Sequence, residues 1–430
     1  MRADCDFHLF GSSFGRHLYV SDGSRIYDLP LGFDGEPDAG ELVRSVAPSR
    51  PRIDGTPLAP PLLQTLSLNV AQACNMACTY CYADEGAFGG KPNLMGLEVA
   101  FASVDRLIAE SALGADLVIG FMGGEPFLNR RLVHAVMPYA SLAAQESGRS
   151  MRFSLTTNGS LIQPEDARLL AAYPTQISVS IDGPRALHDA ARPVRAGGSS
   201  YDAILRALQL FEEMGRPRHL GARITVTPRS RDLPGILDHV LSLGFDSAGF
   251  APVLVSPRPE EAFSAGDFAW FLEDMKACGA KAAELILAGR PYPFSNFETA
   301  LQELERGSHR PYPCGAGAAY LSVAADGAMY ACHRLVGDAA HRFGDIHSGT
   351  DLPARTRHLE ERHVDRQEPC RSCWARYLCG GGCYHEVDRR GRPACDYIRG
   401  WLDFCLTSYL ELKLRAPLYF TEPERWFGTR

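Results

Sequence analysis

The stretch TLSLNVAQACNMACTYCYA, residues 65–83, joins a strand to a metal-binding loop. In its first six residues Leu66, Leu68 and Val70 fall on one face, the period-two pattern of a strand. The loop that follows holds Cys74, Cys78 and Cys81 in C-x3-C-x2-C spacing, with Tyr80 wedged before the last Cys. Three thiolates on one short loop can hold three irons of a [4Fe–4S] cluster and leave the fourth iron open. Structural zinc takes four ligands, usually as paired C-x2-C, and is the alternative for the loop alone.

Downstream the pattern alternates. Strand-like runs stand at 116–122 (DLVIGFM), 152–158 (RFSLTTN), 176–182 (QISVSID), 222–228 (ARITVTP) and 248–255 (AGFAPVLV). A helix is expected over 97–109, where Leu97, Phe101, Val104 and Ile108 recur at helical spacing. Amphipathic stretches near 131–145, 163–172, 202–214, 233–243 and 267–288 separate or follow the strands. Six strand–helix repeats predict parallel strands with right-handed crossovers, an α/β barrel or part of one. In such folds chemistry sits at the C-terminal strand ends. Gly123-Gly124-Glu125-Pro126 follows the second strand, Thr157-Asn158-Gly159 the third, and Ser180-Ile181-Asp182-Gly183 closes the fourth. A glycine pair lets backbone approach a ligand, although a tight turn explains it equally well in isolation. Polar groups at three successive strand ends, facing the mouth that holds the cysteine loop, are poorly explained by packing.

The remaining sequence frames this unit. Residues 1–47 read as a β-hairpin, turning at Asp22-Gly23, and a short helix. A linker follows with Pro48, Pro51, Pro57, Pro60 and Pro61. A second boundary is expected near 290–313, after which short segments and cysteines replace the alternation. The expected organisation is residues 1–61 as N-terminal segment and linker, 62–290 as barrel, and 291–430 as a Cys-rich domain ending in a helix. In that last zone Cys314 is followed by Gly327 and Cys332. Then come Cys370-x2-Cys373-x5-Cys379-x3-Cys383, Cys395 and Cys405. Eleven of the 13 Cys thus fall in two zones, a distribution that favours metal ligation over disulfides. Two zincs on eight ligands remain the alternative for the second zone.

Over 430 residues the net charge is −7, which argues against a dedicated nucleic-acid binder, RNA-modifying enzymes included. No run approaches 18 apolar residues, so no membrane span is expected. The start, MRADCDFHLFGSSFG, lacks the apolar run of a signal peptide, and a cytoplasmic location is expected.

C-x3-C-x-Tyr-C at 74–81, GGEP at 123–126, TTNG at 156–159 and VSIDGP at 179–184 together resemble the radical S-adenosylmethionine (SAM) superfamily. The resemblance covers roughly residues 62–255. It implies an α/β chain with a partial (β/α)6 TIM-like barrel, and SAM chelating the open iron through its amino and carboxylate groups. Carried over by position, Gly123, Gly124, Glu125 and Pro126 meet the SAM amino group. Ser180 contacts the ribose or carboxylate, with Asn158 near it, and Tyr80 packs by the adenine. Arg223 pairs with the SAM carboxylate or is simply a solvated strand-end arginine. His188 and Arg192 read as loop-ordering residues.

The C-terminal spacing resembles the SPASM domain, a module with two auxiliary [4Fe–4S] clusters. This likeness implies Cys314, Cys332 and Cys383 as ligands of the first, and Cys370, Cys373, Cys379 and Cys395 of the second. Three [4Fe–4S] clusters follow in total. Cys405 falls inside a helix-like run and reads as a buried thiol, as do Cys5 and Cys278. Some SPASM proteins place a fourth cysteine six residues after the first, where this chain has Tyr320. The first auxiliary cluster would then offer an open iron to a substrate thiol.

The local text around 313–338 and 369–386 resembles thioether-forming peptide maturases, including those of Cys-rich ribosomal peptides and of the quinohemoprotein amine dehydrogenase small subunit. The implied reaction joins a Cys sulfur to an unactivated carbon of a peptide or small protein. The implied partners are that substrate and an electron donor of flavodoxin or ferredoxin type. The alternatives are a carbon–carbon or other radical crosslink, and an anaerobic sulfatase-type maturase. Sulfatase maturases place a basic Asp directly after the Cys of G-x4-C. This chain has His333 there, which reads as a base or a structural residue. Many peptide maturases carry an N-terminal clamp that pairs a leader strand by β-addition. Residues 1–47 could be a truncated clamp, a partner-binding element or a cap.

Overall fold

The computed structural model describes residues 6–30, Phe33, 36–46, 53–307 and 310–422. Cys5, Pro48 and Pro51 lie outside them. The chain opens with strands β1 (Phe7–Ser12), β2 (Gly15–Val20) and β3 (Arg25–Asp28), then helix α1 (Glu36–Val46). The hairpin read at Asp22-Gly23 is the β2–β3 turn, and β1 adds an antiparallel third strand. Leu18 and Val20 on one face of β2 bury against Ala39 and Val43 of α1, while Tyr19 on the other face enters the main core.

Next come β4 (Thr65–Gln72), β5 (Asn93–Leu94), α2 (Leu97–Ala109), β6 (Asp116–Gly123), α3 (Arg130–Glu146), β7 (Ser150–Thr157), α4 (Pro164–Ala172) and β8 (Thr175–Ser180). They are followed by α5 (Arg185–Ala191), α6 (Ser200–Met214), β9 (His219–Val226), α7 (Leu233–Ser242) and β10 (Ser247–Pro252). The six expected strands all form and pair in parallel, in the order β10-β9-β8-β7-β6-β4. The sheet stays open, because β4 pairs on its other side with a strand from far along the chain rather than with β10. Helix α5 has no counterpart in the sequence pattern. Its seven residues are too few to display a helical period.

Helices α8 (Asp267–Leu287) and α9 (Ser295–Arg306) lead into β11 (Tyr320–Val323), β12 (Ala328–Tyr330), β13 (Arg342–Asp345) and β14 (Gly349–Thr350). The chain ends in α10 (Leu352–Arg362), α11 (Arg376–Cys379), α12 (Tyr384–Arg390), α13 (Cys395–Arg415) and α14 (Leu418–Thr421). The Pro-bounded stretch at 290–313 therefore contains α9. Strand β11 pairs in parallel with β4, Leu321 opposite Leu66 and Val323 opposite Leu68. Asn69 Nδ2 donates to Ser322 Oγ at 2.7 Å across this seam. One sheet thus runs from the barrel into the Cys-rich region.

Helix α13 packs against α8, α9 and β1. Gly279 of α8 and Gly400 of α13 let this contact close up: a Cβ on Gly279 would stand 2.5 Å from a Phe404 ring carbon and 3.3 Å from Trp401. Cys278 and Cys405 are fully buried in this interface, as the reading of plain thiols expected. No helix of the described residues is long and apolar enough to cross a membrane.

Replacing Gly279 by Ala should cost about 1–3 kcal/mol through overpacking, despite alanine's better helix propensity. A thermal melt should show Tm lowered by several degrees. An unchanged Tm would mean that α8 and α13 separate freely.

Candidate active site

The 74–81 loop has little regular structure, so its backbone groups must be satisfied by its neighbours. On one side the GGEP turn bonds it, Gly124 N–H to Ala71 O at 2.8 Å and Glu125 N–H to Ala73 O at 3.0 Å. On the other side the segment after α5 lies alongside. Ala77 N–H reaches Pro193 O, Thr79 N–H reaches Ala191 O, and Arg195 N–H reaches Asn75 O, at 2.9–3.1 Å. His188 and Arg192 order that segment, as the sequence suggested: Asp182 N–H donates to His188 Nδ1 at 3.1 Å.

The glycines serve a purpose beside the one expected. A Cβ on Gly124 would stand 2.2 Å from Ala73 O and 2.9 Å from Cys74 Cβ, and one on Gly123 2.3 Å from Ala71 O. The pair lets the cysteine loop lie directly on the turn, and both glycines also line the cavity in front of the loop. The Glu125 carboxylate is fully buried and directed away from the cavity. It accepts from Phe127 N–H (3.1 Å), Thr157 Oγ1 (2.9 Å) and Asn158 N–H (2.8 Å), tying the β6 end to the β7 end. Asn158 Nδ2 then donates to Asn75 Oδ1 at 2.9 Å, inside the cysteine loop.

Tyr80 is buried, and its hydroxyl carries a relay that motif spacing did not reveal. Tyr80 Oη donates to Asp182 Oδ2 and accepts from Arg192 Nη1, both at 2.5 Å, and Arg192 lies 3.8 Å from Asp182. Asp182 belongs to the IDGP turn, so this relay pins the cysteine loop to the end of β8. The signal was present in the sequence, an acid and a base ten residues apart, but their burial together was not.

A cavity of about 990 Å³ opens before the loop. Cys74, Cys78, Cys81, Tyr80, Gly123, Gly124, Asn158, Ser180, Arg192 and Arg223 line it; Glu125 and Pro126 do not. The side chain of Arg223 extends into the cavity and makes no hydrogen bond or ion pair with the described residues. Three thiols on a supported loop, an open cavity and a partnerless cation fit SAM on an iron–sulfur cluster. Burial, with the charges of Glu125, Cys78 and Cys81, pushes the Cys74 thiol up to about 11. Binding as thiolate therefore needs a cation to displace the proton.

The opposite wall of the same cavity holds Cys314, Cys332 and Cys383. Cys332 feels the charge of both others, and burial carries it to about 12. Tyr320 stands beside this group, its hydroxyl 3.0 Å from His333 Nδ1. Enclosure, with Arg334 and Arg223 nearby, pushes His333 down to about 3, so it is neutral at pH 7. Arg334, which sequence reasoning did not single out, donates to Glu386 Oε1 at 2.6 Å and approaches Cys383 Sγ at 3.8 Å. Cys370, Cys373, Cys379 and Cys395 line a pocket of about 120 Å³, which Cys383 also reaches, and Cys370 feels the charge of the other three. Cys405 is in none of these groups. Among the described residues, no three His, Cys, Asp or Glu converge as a single metal ion requires.

Comparisons with known proteins bear on the family and the fold. Residues 68–235 match the radical SAM superfamily. The chain is 25% identical over 344 residues to the serine-type anaerobic sulfatase-maturating enzyme of Klebsiella aerogenes, covering 78% of this chain and 83% of that one. Its fold resembles that of histidine-tagged anSMEcpe with bound AdoMet (TM-score 0.72, 21% identity, 84% of this chain and 98% of the other). It also resembles SuiB of Streptococcus suis bound to the precursor peptide SuiA (TM-score 0.55, 13% identity, 90% and 96%).

Replacing Gly124 by Ala should displace the cysteine loop and with it the loop's iron, beyond any weakening of SAM affinity. Iron and sulfide analysis after anaerobic purification should show the loss of about one cluster's worth. A variant with full iron and reduced SAM affinity would instead support ligand approach as the reason for the glycine.

Proposed function

We propose that this radical SAM enzyme modifies a peptide or small protein by joining one of its Cys sulfurs to an unactivated carbon. The observation that carries the proposal is the single cavity onto which both the 74–81 thiols and the Cys314, Cys332 and Cys383 group open. A substrate held there meets both at once, as joining a sulfur to a carbon requires. Tyr320, where a fourth cysteine would complete the second group, leaves that group with three thiols.

Cys74, Cys78 and Cys81 would hold a [4Fe–4S] cluster that, with SAM bound beside it, would supply radical hydrogen abstraction from a substrate carbon. The chain's own residues hold and orient. The backbone of 123–125 and 191–195 fixes the loop, and the Tyr80–Asp182–Arg192 relay locks it to β8. Arg223 and Ser180 line the cavity, where Arg223 would pair with the SAM carboxylate and Ser180 would contact its ribose or carboxylate. Cys314, Cys332 and Cys383 would hold the first auxiliary cluster, and Cys370, Cys373, Cys379 and Cys395 the second. His333, neutral and bonded to Tyr320, would orient that hydroxyl beside the first group. A flavodoxin- or ferredoxin-type protein would supply the electron, in a cytoplasmic location.

A second reading, a sulfatase-type maturase, is supported by the 25% identity to the Klebsiella aerogenes enzyme and weakened by His333 standing where those enzymes have Asp.

The test is co-expression with a Cys-containing peptide encoded beside the gene. The expected product is two hydrogens lighter, with one peptide Cys resistant to alkylation, and changing that Cys to Ser should stop the reaction. A product two hydrogens lighter with every Cys still alkylated would favour the other crosslink or the maturase. Replacing Cys74, Cys78 and Cys81 together by Ala should abolish 5′-deoxyadenosine formation with dithionite while leaving the remaining iron bound. Continued formation would show that SAM binds elsewhere.

A further inference from the structure

The four-cysteine group lies in an arginine-rich stretch of the chain. Residues 362–399 contain eight arginines and no lysine against five carboxylates, a balance of +3 in a chain of net −7, so the remaining residues carry −10. Arg376, Arg392 and Arg399 line the 120 Å³ pocket itself. The other side of this loop is covered. Trp374 stacks on His8 with ring centroids 4.0 Å apart, Ser21 Oγ donates to Trp374 O at 2.7 Å, and Arg376 pairs with Asp6. The N-terminal sheet thus closes one approach to the Cys373–Cys379 segment and leaves the arginine face as another.

On that face the charge is only partly neutralised. Arg371 (48% exposed) and Arg399 (37%) pair with Glu368 and Asp396, which are themselves more exposed (56% and 95%). Such pairs are weak, and an incoming partner can replace them. Arg366 and Arg389 are exposed and have no carboxylate partner among the described residues.

We propose that this arginine face is the docking surface for an acidic one-electron carrier protein. The inference rests on the radical crosslinking reading above. Closing a sulfur–carbon bond removes two hydrogens from the substrate. One leaves as a hydrogen atom, giving 5′-deoxyadenosine; the other leaves as a proton and one electron. SAM cleavage consumes one electron, so the carrier gives one and receives one in each turnover. An acidic carrier is repelled by the rest of the chain and steered to this face, where its redox centre comes nearest to the Cys370–Cys395 group.

The test measures binding of a bacterial flavodoxin to the anaerobically purified enzyme by surface plasmon resonance at low and high salt. The double variant Arg366→Glu with Arg371→Glu should bind roughly tenfold more weakly at low salt, with a shallower salt dependence. Its iron content and dithionite-driven 5′-deoxyadenosine formation should equal those of the parent. Should iron be lost, Arg366→Glu alone, four residues from the nearest Cys, gives the same comparison. Unchanged affinity and salt slope, or no flavodoxin binding by the parent, would overturn the proposal. Failure of dithionite to drive crosslinking would count against the reading of the reaction and leave the binding result standing.

Discussion

Everything in this protein depends on how a loop with almost no regular structure is held still. Residues 74–81 must present three thiols to one side, yet their backbone amides cannot be left unpaired inside the protein. The chain meets this by placing two segments against the loop. The 123–125 turn bonds its entry and residues 191–195 bond its middle, at 2.8–3.1 Å throughout. The first segment leaves β6 directly and the second follows helix α5, so the rigidity of the sheet reaches the cysteines through the 123–125 turn.

The side chains around the loop repeat this logic. Glu125 and Asp182 are buried carboxylates, and burial would be costly for each without partners. Glu125 accepts three hydrogen bonds from the turns after β6 and β7. Asp182 accepts from Tyr80 and Thr225 and faces Arg192. The two residues thereby tie adjacent strand ends together on the rim of the cavity. The same economy joins the two halves of the protein: β11 extends the barrel sheet at β4, and the β11–β12 hairpin carries Tyr320 and Cys332 to the wall opposite the loop.

The N-terminal sheet illustrates the difference between an element and its use. Its turn at Asp22-Gly23 was evident from two residue types, because few other pairs accept that backbone. Its position was not. His8, Ser21 and Asp6 reach residues 374–376 from more than 350 positions away, and no local pattern predicts such contacts. Among the described residues of this N-terminal part, Asp6, His8 and Ser21 lie against the four-cysteine segment.

The sequence by itself determined the six parallel strands, most of their helices and the division of eleven cysteines between two zones, because strand period, helix period and Cys spacing are local signals. It also pointed to the glycine pair and the strand-end turns. Only the tertiary structure decided what those residues do. Gly124 faces the loop backbone because β4 and β6 are neighbours. Arg192 meets Tyr80 because α5 returns the chain under the loop. Of the eight cysteines of the second zone, Cys332 feels Cys314 and Cys383, Cys370 feels Cys373, Cys379 and Cys395, and Cys405 stands apart, with the turn at Gly380–Gly382 between Cys379 and Cys383. These outcomes depend on contacts between distant segments, which burial and strand order create and which spacing along the chain does not encode.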